Sequence, residues 1–449
     1  MKRILSQIAL PIVFLIFAFW ILAIKNGYML RWFDEMSLFE PGAEGLHQYL
    51  LYPGGIFRFV GTFLTQLLYY PALGAGLLVV IWLLCAWLTK VAFRFAGSTA
   101  PLCFLIPFCL LVSILQLDEA SLSFESQGYV FYNTLGFTFS LAAYALFSVL
   151  HRNVYAQGAI AIVLPLLYPF AGFFALLPAI MCVISLCMTA KGNRQISSLV
   201  GAGFSLVLVV VIPLLYYRYF TGTTIDNDYL YLKGLPELTM NDYDWYLWRP
   251  FAVASVIFLL LVLLSAFVGA EKINSSKIMK WGGVGLFCLG ILLSLSADGK
   301  KSEQYRATVL MLNAIENKEW NKVSHIMSLT KESPNYTMCV LDNLARAYCG
   351  RERKSVGNMT TVSSDFRHNE DFTITAFVNV PVNHHMGRFN QSHRWATEQN
   401  VQYGNRVYFI KYIVRNAIMN GDMEFAKKFN RLLMRTMFHR HWAETMNKY

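Results

Sequence analysis

Residues 70–89 read YPALGAGLLVVIWLLCAWLT, a run without a single charge, closed by Lys90. The hydrocarbon core of a bilayer takes about 20 apolar residues in helical form, so this stretch predicts a membrane span. Eight more apolar stretches, near 4–24, 99–117, 129–150, 154–170, 171–189, 197–219, 250–269 and 280–297, carry charge only at two ends, Arg218 and Lys280. The fifth and sixth spans are short and joined by Tyr168-Pro169-Phe170-Ala171-Gly172, a sequence that predicts a tight hairpin. Composition agrees with a membrane protein: 56% of residues are hydrophobic and 14% charged, against roughly 25% charged in soluble domains. The predicted fold is all-α: a polytopic bundle of about nine transmembrane helices over 1–298, followed by an outward-facing, repeat-like helical domain over 299–449.

Loop charges set the expected orientation. With the amino terminus in the cytoplasm, the inner segments hold ten bases, among them Lys2, Arg3, Lys90, Arg94, Arg152 and Lys272, against Glu271 alone. The outer loops hold twelve acids and six bases, the asymmetry expected when Lys and Arg stay inside. An odd number of spans then places 298–449 beyond the inner (plasma) membrane. Met1-Lys2-Arg3 begins like a signal peptide. However, about 20 apolar residues follow, longer than the 7–15 of a signal core, so a retained anchor is expected.

The net charge of +11 divides unevenly, +3 over the first 297 residues and +8 over the rest. Clustered cations attract polyanions such as lipid headgroups; a solvated helical surface carries the same surplus. No base-reading motif is present, and no nucleic-acid partner is expected. Six of the eight cysteines fall inside spans, and Cys339 and Cys349 lie ten residues apart on one predicted helix. That is about 15 Å of rise, beyond the reach of a disulfide.

In the tail, helices are predicted over 303–316, from Lys318 to before Pro334, and over 337–349 with Gly350 as cap. His384, His385 and His393 have no Cys or carboxylate at a recognised metal spacing, and no metal site is expected there. Trp320, Val323 and Pro334, and again Asn420-Gly421-Asp422-Met423-Glu424-Phe425-Ala426, resemble two degenerate tetratricopeptide repeats. That resemblance implies a surface for docking an envelope protein on residues 300–449.

No ionisable group sits mid-span, which argues against an ion- or proton-coupled transporter. Chemistry is therefore expected at the outer rim. The first loop offers Arg31-Trp32-Phe33-Asp34-Glu35, the second Asp118-Glu119, and the fourth Asp226, Asp228, Asp242, Asp244 and Arg249. Paired carboxylates bind a divalent cation or act as a general base, and Arg31, Arg58 and Arg249 suit a lipid phosphate. Acidic outer loops also occur as plain surface charge or helix caps.

A first span followed by Phe33-Asp34-Glu35 and then Tyr52-Pro53-Gly54-Gly55 resembles the start of GT-C membrane glycosyltransferases of the protein O-mannosyltransferase type. The resemblance implies a sugar donor on a polyprenyl phosphate, Asp34 or Glu35 as catalytic base, and Arg58 as a phosphate contact; from the loop residues themselves, Arg31, Asp118, Glu119 and Arg249 are further substrate-binding candidates. It departs where that pattern has a histidine soon after the acids, since Met36 and Ser37 stand here. Pro53-Gly54-Gly55 and Phe63-Leu64-Thr65-Gln66-Leu67-Leu68-Tyr69-Tyr70-Pro71 are also similar to stretches of an uncharacterised Bacteroidetes family of multi-pass membrane proteins. The expected function is a GT-C-like glycosyltransferase at the outer face of the inner membrane. The alternatives are a non-enzymatic scaffold and a lipid or glycolipid carrier.

Overall fold

A computed structural model of the chain describes residues 2–117, 127–190, 195–220, 230–235, 245–352 and 375–448. The secondary structure there is helical, with one isolated β-bridge between Lys233 and Leu235. In chain order the helices are α1 (Lys2–Phe19), α2 (Gly27–Glu35), α3 (Ala43–Leu50), α4 (Gly55–Thr65), α5 (Pro71–Phe93), α6 (Leu105–Leu115), α7 (Tyr129–Val149), α8 (Val154–Leu166), α9 (Phe173–Thr189), α10 (Gln195–Phe220), α11 (Trp245–Val268) and α12 (Lys277–Gly299). The tail adds α13 (Glu303–Glu316), α14 (Trp320–Leu329), α15 (Tyr336–Tyr348), α16 (Thr375–His385), α17 (Phe389–Tyr403), α18 (Val407–Met419), α19 (Met423–Met434) and α20 (Arg440–Met446).

Among the described residues, five helices are long and apolar enough to cross a membrane: α5, α7, α10, α11 and α12. A sixth span arises if Ala9–Lys25 and α2 count as one bent element, with 66° between its halves. The other three apolar stretches form shorter helices, Thr99–Leu115, Val154–Leu166 and Phe173–Thr189. Proline accounts for part of this shortening. Pro101 falls in a 3-10 segment, Gly97–Phe104, that precedes α6, and Pro165 lies at the end of α8. The fifth and sixth of the expected apolar stretches, α8 and α9, pack against each other through a turn at Gly172 (φ 57), the hairpin expected from the sequence.

Neutral polar groups inside the bundle find local partners, as a medium without water demands. Trp82 Nε1 donates to Thr134 Oγ1 at 3.2 Å, Gln157 Nε2 to the Phe147 carbonyl at 3.2 Å, and Asn133 Nδ2 to the Tyr129 carbonyl at 3.0 Å. At one end of the bundle Arg94, His151 and Asn274 converge: Arg94 meets His151 at 2.6 Å, and Asn274 Nδ2 donates to the Arg94 carbonyl at 3.0 Å. At the other end Lys25 pairs with Asp298 at 2.5 Å, so the exits of α1 and α12 adjoin.

Three glycines knit the loops on that second end together. A Cβ on Gly54 (φ 84) would lie 2.6 Å from the Gly234 Cα, and one on Gly172 would lie 2.4 Å from the Lys233 carbonyl oxygen. Main chain therefore crosses main chain there, and only glycine fits.

The tail helices run as consecutive pairs. Four of its turns share one hydrogen-bond pattern, in which a residue with φ between 58 and 81° follows the helix. The next amide then reaches back five residues: Glu319 to Ala314, Arg351 to Arg346, Arg388 to Asn383 and Asp422 to Ala417. These are Schellman turns, with the left-handed residue at Lys318, Gly350, Gly387 and Gly421. The core they enclose also takes in Trp32 and Met36 from the first loop. The carboxyl-terminal helical domain is thus completed by a piece of the amino-terminal half.

Candidate functional site

That piece is α2, whose sequence GYMLRWFDE presents two buried faces. Met29, Leu30 and Phe33 join the bundle core, whereas Trp32 packs on Phe377 and Tyr408 of the tail at 6.1 and 5.3 Å. Asp34 and Glu35 fall at its carboxyl end, the wrong end of a helix dipole for an acid. Both are buried, 2% and 6% exposed, so each needs a cation.

The tail supplies their partners. Lys411 Nζ, on α18, contacts both Glu35 oxygens at 2.6 and 2.9 Å, and His439 Nε2 lies 2.9 Å from Asp34 Oδ2. The Arg406 guanidinium, buried beside them, donates to the Met36 carbonyl that follows the acids. Burial by itself raises a carboxyl pKa. For Glu35 burial is the largest single influence, but the Lys411 charge, His439 and the Lys411 hydrogen bond together outweigh it, and the pKa falls below the ordinary range. For Asp34 burial prevails over the His439 contact and the pKa rises.

His439 is fixed by the Phe63–Pro71 motif singled out in the sequence. Gln66 Oε1 accepts the Met437 amide at 3.0 Å, Tyr69 stacks on Phe438 at 5.4 Å, and the Tyr69 ring meets the His439 ring edge-on at 5.3 Å. Residues 63–71 are therefore a platform for the end of the chain. One ligand-type atom each from Asp34, Glu35 and His439 lie within 4.8 Å of one another, a spacing that suits a divalent cation. The Lys411 ammonium competes with any such ion for Glu35.

The other expected site residues are scattered. Arg31 lies over the Tyr69 ring at 5.2 Å and Arg58 over the Tyr132 ring at 5.8 Å. Asp118, Glu119, Asp226, Asp228, Asp242 and Asp244 lie outside the described residues. Of the histidines, His384 meets Asn416 Oδ1 at 2.6 Å, His385 meets the Trp320 ring and His393 the Phe425 ring. They do not form one cluster. Cys339 and Cys349 are not joined in a disulfide.

Arg249 belongs to a second feature. A groove of about 640 Å³ runs between α6, α11 and α12, with Phe108, Val253 and Leu289 in its wall and Arg249, Lys300 and Lys301 at its mouth. Val253, Leu289 and Leu293 are about half exposed on its flank, so the wall faces the surrounding lipid. Lys301 is tied to Asp298 at 3.3 Å and to Asn26 Oδ1 at 2.9 Å, whereas Lys300 is exposed. Sequence reasoning passed over both lysines because they follow the last span, and a pair of bases directly after an apolar helix was the signal.

Apolar helices of spanning length, a second hydrophobic core docked on one end and a cation-rimmed groove between helices define a multi-pass helical membrane protein with an attached helical domain. The chain matches, over residues 2–449, the family of unknown function DUF6057, and it belongs to that family. No curated protein and no solved structure matches it.

Proposed function

We propose that this protein binds a membrane lipid with a phosphate-bearing headgroup in the groove between α6, α11 and α12, and carries or presents it at the outer face of the inner membrane without ion coupling. The groove itself supports this reading: an apolar wall open to acyl or prenyl chains ends at Arg249, Lys300 and Lys301. Cations at the end of an apolar slot recognise a phosphate by charge-assisted hydrogen bonds, and the volume lies in the range of small-molecule sites, about 300–1,000 Å³. The spans lack the mid-membrane ionisable groups that coupled transport uses.

The test is lipid retention by the purified full chain. In nanodiscs containing polyprenyl phosphate, phosphatidylglycerol and phosphatidylcholine, native mass spectrometry should show the phosphate-bearing lipids enriched over phosphatidylcholine. Arg249→Ala with Lys300→Ala should abolish the preference. Equal retention of all three lipids by the unaltered protein refutes the reading.

A lipid-linked sugar transferase is the second reading, favoured by the hydrogen-bonded acid–imidazole pair of Asp34 and His439. It requires the tail to uncover Asp34, which is 2% exposed. Under it, Asp34→Asn stops sugar transfer while lipid retention stays intact; under the carrier reading no transfer depends on Asp34. Recruitment of an envelope protein by residues 300–449 fits either reading and is separable by pull-down with the full chain.

A further inference from the structure

A second cavity, about 380 Å³, opens where the first loop meets the tail, lined by Leu38, Glu40, Gly45, Gln48, Tyr49, Gln127, Asn400, Val401, Gly404 and Asn405. Its chemistry is the reverse of the groove's. Among the described residues, four carboxamides, one carboxylate and one phenol face it, and no lysine, arginine or histidine lines it. The walls are held in register across long sequence distances. Asn405 Nδ2 donates to Glu40 Oε1 at 2.5 Å, Gln127 Nε2 to the Asn405 carbonyl at 2.9 Å, and the Leu38 amide to Gln127 Oε1 at 3.1 Å. Two glycines let backbone close around it: Gly404 has φ 77, and a Cβ on Gly45 would lie 2.3 Å from the Glu40 carbonyl oxygen.

We infer that this cavity is a binding site for a neutral saccharide. A cavity without cations gives an anion no counter-charge, and one lined mainly by amides gives an apolar ligand no driving force. Asn400, Asn405 and Gln127 each use one N–H and one carbonyl lone pair to hold the walls. A carboxamide has two N–H groups and two lone pairs, so each keeps one donor and one acceptor side by side, and Gln48 adds its own, the set that adjacent hydroxyls require. Glu40 adds acceptor capacity, and one of its oxygens is already taken by Asn405, which disfavours a role as sole counter-ion for an amine. The Tyr49 hydroxyl is anchored to Thr62 Oγ1 at 3.3 Å, so its ring forms a fixed, half-buried wall. Gln48 is exposed at the rim and supplies an amide that can be removed without disturbing the joint. The volume is near the lower end for ligand sites, enough for one or two sugar rings and too little for an extended peptide. This inference stands on the cavity alone and does not rest on the lipid groove.

The experiment is an oligosaccharide array, carrying neutral and anionic glycans, probed with the full chain in detergent. Neutral glycans should bind, and Gln48→Ala and Tyr49→Ala should each weaken the signal at least tenfold. Gln48→Ala should melt at the temperature of the unaltered protein, which separates lost binding from lost fold. Arg249→Ala should leave glycan binding unchanged. Three outcomes overturn the inference: no glycan bound, only anionic glycans bound, or neutral glycans bound equally by Gln48→Ala and Tyr49→Ala.

Discussion

Replacing Lys411 with methionine keeps most of the side chain's volume and removes its charge, leaving Glu35 buried without the ammonium that contacts both its oxygens. The carboxylate then has to take up a proton. Protonating a group of ordinary pKa 4.5 at pH 7 costs about 3 kcal/mol at 1.36 kcal/mol per unit. That agrees with the roughly 3–5 kcal/mol lost when one partner of a buried ion pair is deleted. For a cooperative unit of 150–250 residues, each kcal/mol moves Tm by about 2–4 °C, so the tail domain should melt roughly 6–12 °C lower. Tryptophan fluorescence in detergent reports this, because Trp32 sits in that core. Adding Glu35→Gln to Lys411→Met removes the stranded charge and should recover more than half of the loss. A Lys411→Met protein that melts within 2 °C of the original (about 1 kcal/mol or less) refutes the reasoning, as does a double variant no better than the single.

Three further outcomes follow from the geometry. Arg415, 2.6 Å from Glu316, overcomes burial and holds the Glu316 carboxyl at about 2, against an ordinary 4.5. Because the folded value is depressed, its stabilisation of about 3 kcal/mol is complete above pH 4.5 and drains away as pH falls towards 2; Glu316→Gln should flatten that part of a stability–pH curve measured by urea unfolding. Gly54→Ala should destabilise by more than about 2 kcal/mol, since it combines a left-handed backbone with a Cβ 2.6 Å from Gly234; a thermal shift below 2 °C contradicts this. Lys318→Gly should raise Tm slightly, by up to about 1 kcal/mol of stability, because Lys318 holds φ 58 where the three sister turns have glycine.

The long spans were legible because a bilayer imposes one demand, apolarity over a fixed length, and α5, α7, α10, α11 and α12 meet it outright. The short stretches are helical where the sequence places them, as Thr99–Leu115 is for 99–117, but apolar composition alone does not report their exact length. Pro101 and the 3-10 segment before α6 shape the start of that one. Helices α13, α14 and α15 lie where their punctuation put them, since Gly350 and Pro334 act locally. The acid pair was legible as a pair, but not as a buried one. Its partners stand 376 and 405 residues further on, and no local periodicity links positions so distant. The basic surplus of the tail held a hint, for Arg406, Lys411 and Arg415 lie inside the fold and not on a solvated surface.

Those separations bear on biosynthesis. The ribosome makes the segment bearing Asp34 and Glu35 near the start and the groups that neutralise it within the last 45 residues of this sequence. Until then two carboxylates must wait in water beside an unfinished helix bundle. Docking of the tail on α2 therefore waits until Lys411 and His439 have been made: a product halted before position 411 presents an acidic scar at the very surface that these two residues otherwise close, ready to be told apart by quality-control proteases.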